Sequence, residues 1–256
     1  MNKNILITGA ASGIGQATAK LFHQRGWRVG LIDMNADSLQ TLADELGQER
    51  TWQQALDVRD TQASEQALQD FVTAGPLNVL FNCAGILAMG SFEDIELERH
   101  HAIVDINING LINFSYLALP HLKRANHAVV INMSSASAVY GVPYLASYSA
   151  SKFAVRGLTE ALNLEWQQHG IRVCDIMPPF VDTPMLQEQK NTAPSLKRLG
   201  VKLSAEDIAK TVWLSAQYPS FTRAHYPITL FLKTSRLLSK LSPDVISRQV
   251  MKWIGT

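Results

Sequence analysis

Residues 5–15 read Ile5-Leu6-Ile7-Thr8-Gly9-Ala10-Ala11-Ser12-Gly13-Ile14-Gly15, and Ala17, Leu21 and Phe22 continue them at helical spacing. An apolar run that feeds a glycine-rich turn and then a helical pattern is a strand–turn–helix unit. Glycines let the backbone turn tightly and approach a ligand closely. The helix start adds free N–H groups and a partial positive charge, so the turn suits a phosphate. It also suits an ordinary strand–helix connection, and the residues downstream have to decide between the two.

Asp33 ends the next apolar run, 28–33, eighteen residues beyond Gly15. A carboxylate there can accept hydrogen bonds from the ribose hydroxyls of an adenine dinucleotide and repels a 2′-phosphate. Arg28 stands at the start of the run, too early to reach the ribose, so NAD(H) is expected over NADP(H). The other reading of Asp33 is a cap for the following loop.

Further short runs at 4–8, 78–82, 128–133 and 171–176, with a weaker one at 51–56, alternate with longer stretches of helical periodicity as far as about residue 217. This alternation predicts a single-domain α/β Rossmann fold over residues 1–256, a doubly wound parallel sheet with helices on both faces. Residues 177–203, with Pro178, Pro179, Pro184 and Pro194, break the pattern and are expected to form a substrate lid loop. A C-terminal extension follows over 223–256. Within it, Leu230, Phe231, Leu237, Leu238 and Leu241 share a stripe opposite Lys233, Arg236 and Lys240, which predicts an amphipathic helix over 229–241. Ser242-Pro243 then reads as a cap and first helical residue, with Ile246, Val250, Trp253 and Ile254 as the apolar face of a second helix. These helices could cover the core, form a dimer contact, or touch an anionic membrane through Lys233, Arg236, Lys240, Arg248 and Lys252.

Composition narrows the function classes. Hydrophobic residues at 46% and charged residues at 18% describe an ordered globular chain, and a net charge of +1 without a basic face argues against nucleic acid. Cys83 and Cys174 lie far apart without metal-ligand spacing, so neither a disulfide framework nor a metal site is expected. The apolar run after Met1 is too short for a signal peptide or membrane span, and a cytoplasmic protein is expected.

Tyr148 and Lys152 stand four residues apart, on one face of a predicted helix running to about His169. A free tyrosine titrates near pH 10, but a nearby cation stabilises the phenolate, and an oxidised nicotinamide would add a second positive charge. Tyr148 could then take a proton from an alcohol as hydride leaves, and return it during carbonyl reduction. The spacing alone is common. Ser134-Ser135 ends the fifth apolar run thirteen residues before Tyr148, where open α/β sheets place their ligands, and a hydroxyl there can hydrogen-bond the reacting oxygen. Two serines after a strand also make ordinary turn residues.

The Thr8–Gly15 turn, Asp33, Asn82-Cys83-Ala84-Gly85, Asn107, Ser135, Tyr148 and Lys152 together resemble the ordered motifs of the short-chain dehydrogenase/reductase family. The resemblance implies that Ser135 polarises the substrate oxygen, Tyr148 transfers the proton, Lys152 holds the nicotinamide ribose and lowers the tyrosine pKa, and Asn107 holds a water in the proton relay. It implies cofactor contacts from Thr8, Gly9, Ser12, Gly13, Ile14 and Gly15, from Asp33, and from Asp57-Val58 at the adenine. Further contacts are implied for Asn82, Ala84, Gly85, Tyr148 and Lys152, and for Pro178, Val181 and Thr183 near the carboxamide. Two residues depart from the family pattern. Cys83 replaces an asparagine, and Pro179 replaces a glycine, which removes an N–H and fixes φ beside the nicotinamide.

The ending resembles the steroid- and retinol-dehydrogenase branch, with Leu237, Leu238, Leu241 and Pro243 in the style of its terminal helices, and implies lipophilic alcohols or ketones as small-molecule substrates. The family commonly pairs its long fourth and fifth helices between subunits, which implies a homodimer or homotetramer. Competing readings are a catalytically silent NAD(H)-binding sensor and a membrane-surface protein on the same fold. A silent binder has no need of Asn107, Ser135, Tyr148 and Lys152 together.

Overall fold

The computed structural model describes residues 3–189, 191–217, 223–229, 232 and 244–255. Six strands, β1 (Asn4–Thr8), β2 (Arg28–Asp33), β3 (Thr51–Ala55), β4 (Val79–Asn82), β5 (Val129–Met133) and β6 (Arg172–Met177), are joined by helical crossovers. Three of these are α1 (Gly13–Gln24), α2 (Ala36–Leu46) and α3 (Thr61–Val72). Between β4 and β5 a long helix runs from α4 (Leu97–Val104) through a π-helical turn (Asp105–Gly110) into α5 (Leu111–Leu122). Between β5 and β6 lies α6 (Ala146–Glu165).

With β9 (His225–Pro227), the strands form one sheet in the order β3-β2-β1-β4-β5-β6-β9, every pairing parallel. Helices cover both of its faces. Ile5, Ile7, Val29 and Leu31 pack with Phe22 of α1 and with Ile208 and Val212 of α9 (Ala205–Gln217). Leu6, Leu80 and Val130 point the other way, against Phe71 of α3 and Phe114 of α5. Continuous apolar strands thus still obey the two-residue period, and each fully buried large side chain contributes about 1.5–3 kcal/mol. The weak run at 51–56 is edge strand β3, whose residues are half-buried or exposed because only one neighbour flanks them. The chain winds outward from β1 in one direction and from β4 in the other, which opens a crevice at their carboxyl ends.

Two sequence expectations are corrected here. Residues 177–203 are not an irregular loop: β7 (Val181–Asp182) pairs with β8 (Leu203–Ser204), and between them lie α7 (Pro184–Gln187) and α8 (Pro194–Leu199). Pro184 and Pro194, read as breakers, occupy the first positions of these helices, where no N–H is needed. The strand β9 inside the C-terminal extension was not foreseen. It is three residues long and is held from outside: the His225 ring nitrogens lie 2.9 Å from Asp175 Oδ2 of β6 and 2.9 Å from Glu160 Oε1 of α6. The helix expected over 229–241 and the Ser242-Pro243 start lie almost wholly outside the described residues. Asp244–Gly255 form the last helix, α10.

Candidate active site

The carboxyl ends of the strands open into a cavity of about 890 Å³. At one end, the β1–α1 turn forms a cradle that only glycines permit. Gly9 has φ +69°, and a Cβ there would lie 2.8 Å from the Ala84 backbone. A Cβ on Gly15 would lie 1.9 Å from the Gly9 carbonyl oxygen. Ser12 begins α1 without a capping bond from its side chain, so the helix start keeps N–H groups for a ligand. The donor set and the close backbone approach fit the pyrophosphate of a dinucleotide.

Asp33 borders the same cavity, and its carboxylate accepts N–H bonds from Ala11 and Asn35 at 3.0 Å each. It therefore caps the following loop as well as facing the cavity. Arg28 is turned away, with Nη1 donating to the Phe71 carbonyl at 2.8 Å and its guanidinium over the Phe71 ring. Asp57 and Val58 also line the wall. The Arg59 guanidinium, hydrogen-bonded to Asp57, holds that carboxyl below its usual range. Among the described residues, Lys152 is the one Lys or Arg on the cavity wall.

At the other end stand Ser135, Tyr148 and Lys152. Ser135 follows β5 and accepts the Ser137 N–H at 3.2 Å. Lys152 is buried, and its ammonium donates to the Met133 carbonyl oxygen at 2.8 Å, 5.4 Å from the centre of the Tyr148 ring. Burial lowers the Lys152 pKa to about 8, against a weaker upward pull from Cys83. Burial raises the Tyr148 phenol to about 12, although the Ser135 hydroxyl beside it pulls the other way. The ammonium is thus charged at neutral pH, and the phenol needs positive charge nearby before it can ionise.

Gly9, Ser12, Gly13, Ile14, Gly15, Ala84, Gly85, Pro178, Val181 and Thr183 all lie on the wall. Three expected residues do not. The Thr8 hydroxyl accepts N–H bonds from Cys83 and Ala84 at 3.1 Å, joining the ends of β1 and β4. Asn82 donates to Ser115 and Asn132, and Asn132 in turn donates to Thr159, a buried polar chain that ties β4, β5, α5 and α6. Both hold the Cys83–Ala84 segment, which lines the cavity, from behind. Asn107, in the π-helical turn, accepts from the Ile86 N–H at 2.8 Å and donates to the Ile86 carbonyl and Ser151 hydroxyl at 3.0 Å each. Its side chain ties the wall at Ile86 to α6 at Ser151. Cys83 does reach the wall, and burial raises its thiol to about 12, so it remains protonated.

The apolar half of the cavity draws on the lid segment and the C-terminal extension, both expected at the substrate, and on Leu145, which the sequence did not single out. Leu145, Leu186, Ile246, Val250 and Ile254 line it, drawn from the α6 entry, α7 and α10. The apolar face of α10 was legible, but nothing local showed what it would face.

The short chain dehydrogenase family model matches residues 3–194. This chain belongs to the short-chain dehydrogenase/reductase family. Among its short-chain dehydrogenase relatives, cyclohexanol dehydrogenase from an Acinetobacter species is 32% identical over 217 residues, 82% of this chain and 86% of the relative. The solved 3-ketoacyl-(acyl-carrier-protein) reductase from Brucella melitensis, complexed with NADH, superposes with a TM-score of 0.80 at 27% identity, covering 88% of this chain and 96% of its own. The structure of ElxO with NADP bound gives the same TM-score, 0.80, at 25% identity, covering 89% and 97%. The likeness to these solved structures therefore covers more of the chain than the matched segment.

Proposed function

We propose that this chain is an NAD(H)-dependent oxidoreductase that interconverts a lipophilic alcohol and the corresponding ketone or aldehyde. The carrying observation is that Ser135, Tyr148 and Lys152 meet on one cavity wall, with the Lys152 ammonium fixed to the Met133 carbonyl beside the Tyr148 ring. A bound nicotinamide supplies the hydride acceptor or donor. The Ser135 hydroxyl hydrogen-bonds the reacting oxygen and orients it. Tyr148 Oη takes the hydroxyl proton during oxidation and returns it during reduction. Lys152 supplies the positive charge that favours the phenolate against its burial.

Asp33, together with the lack of any wall cation but Lys152 among the described residues, supports NAD(H) over NADP(H). The NADH and NADP bound to the two neighbours support a nicotinamide cofactor without choosing between them. The apolar wall built by α7 and α10 supports a lipophilic substrate, and a cyclohexanol dehydrogenase among the relatives agrees with it. Ile112 and Tyr116 of α5 and Phe153 and Leu164 of α6 are exposed, which supports pairing of these helices in a dimer or tetramer. Two free thiols, Cys83 and Cys174, suit the reducing cytoplasm.

The test is a screen of alcohols and ketones of graded size, following NADH absorbance. Tyr148→Phe is expected to lose at least about a hundredfold in turnover while still binding NADH by fluorescence titration. Unchanged turnover by this variant would overturn the assignment, and a wild type that binds NADH yet turns over no alcohol or carbonyl would favour the silent sensor.

A further inference from the structure

Tyr148 sits in the first turn of α6, and that turn is poorly secured by its own sequence. Leu145 at the N-cap supplies no capping side chain, and Tyr144 just before it is held at φ +66°, a left-handed conformation costly for an aromatic residue. An uncapped helix start after a strained residue frays unless tertiary contacts hold it. Beside the Val142 N–H donated to Ser149 Oγ and the Gly90 N–H donated to the Tyr144 carbonyl, at 3.1 Å each, such contacts come from the α4–α5 helix.

His100 of α4, 7% exposed, has Nδ1 2.7 Å from the Ser147 hydroxyl and Nε2 3.0 Å from the Phe92 carbonyl. Its ring stacks on Phe92 at 4.4 Å. A carbonyl only accepts, so Nε2 carries the proton. In the neutral ring Nδ1 then accepts the Ser147 O–H. Seven residues on, Asn107 donates to Ser151, whose hydroxyl donates to the Tyr148 carbonyl at 2.7 Å. Ser147 and Ser151 are one helical turn apart on one face of α6. Tyr148 and Lys152, each the next residue along, share the neighbouring face, towards the cavity. The two serines are attachment points, and the two reacting side chains are set by them.

We propose that His100 is a positioning residue for Tyr148, acting through Ser147; this rests on the reading that Tyr148 transfers the proton. His100 touches neither the cavity nor the reacting atoms. It fixes the azimuth of the first α6 turn, and a phenol displaced by a fraction of an ångström loses its alignment with Ser135 and the substrate oxygen.

The test separates the two hydrogen bonds of the ring. His100→Ala and Ser147→Ala are each expected to lower kcat about tenfold, with KM for NAD within about twofold of wild type, and the double variant is expected to be no worse than either. His100→Asn places an acceptor near the Nδ1 position and is expected to recover most of the rate. His100→Gln places a donor near the Nε2 position, keeps the Phe92 contact and is expected not to recover it. NADH titration and Tm for each variant show that the fold is intact, and if His100→Ala does not fold, the Asn and Gln pair decides. Wild-type kcat in His100→Ala, additive losses in the double variant, or recovery by Gln in place of Asn would overturn the proposal. Tyr148→Phe in the same assay keeps the two readings apart: if it still turns over, the proton-transfer reading fails, whereas an inactive Tyr148→Phe beside a fully active His100→Ala defeats only the positioning role.

Discussion

Asp33 Oδ2 accepts the Ala11 N–H at 3.0 Å, so the carboxylate that ends β2 is fastened to the turn that follows β1. The glycine turn and the Asp33 carboxylate are thereby one rigid unit. Asp33→Asn keeps the shape but removes the charge. It is expected to weaken NADH binding about tenfold and to improve NADPH binding about tenfold, since charged hydrogen bonds are roughly twice as strong as neutral ones and repulsion of a 2′-phosphate is relieved. Fluorescence titration of both cofactors measures this, and an unchanged ratio of the two affinities would show that Asp33 does not select.

Lys152 imposes a pH dependence whose sign follows from its burial. Its pKa falls from the ordinary 10.5 to about 8, so below pH 8 both folded and unfolded chains carry the proton and the burial cost is constant. Between pH 8 and 10.5 the unfolded chain binds more protons, and the stability from this group rises with pH by about 3 kcal/mol. Tyr148, Cys83 and Cys174, all raised to about 12, act in the opposite direction above their ordinary values. They are common to wild type and Lys152→Met, so the difference between the two in urea unfolding isolates the lysine. That difference is expected to move towards wild type as pH rises through this window; a difference that stays flat would show that the ammonium is not buried as described.

Gly255 ends α10 against Pro143, where a Cβ would lie 2.6 Å from the proline ring. Gly255→Val is expected to push this end of α10 away from the α6 entry and open the apolar wall formed by Ile246, Val250 and Ile254. KM for large lipophilic alcohols should rise about tenfold, because an exposed wall returns roughly 1–2 kcal/mol of apolar contact to water, with little change for the smallest substrates. Equal effects on small and large substrates in a kcat/KM series would show that α10 does not bound the substrate.

The sequence by itself determined the alternating frame, the glycine cradle with Asp33, and the Tyr148–Lys152 pair, because each is written within a short window. Apolar runs specify buried strands, glycine specifies close backbone approach, and a four-residue spacing specifies one helix face. Even Pro184 and Pro194, misread as breakers, were local signals open to a second reading as helix starts.

Only the tertiary structure decided the rest, because the partners are distant in the chain. β9 has no pattern of its own and exists because His225 reaches Asp175 and Glu160, 50 and 65 residues earlier. Thr8, Asn82 and Asn107 stand at expected site positions, yet they do not line the cavity, and their hydrogen bonds go to Cys83, Ala84 and Ile86 on its wall and to Asn132 and Ser151 behind it. The facing of α10 and the tether from His100 to Ser147 are likewise products of packing. Propensity and spacing act along the chain, whereas a buried polar group takes whichever partner the fold brings within about 3 Å, and that choice is made only when the core closes.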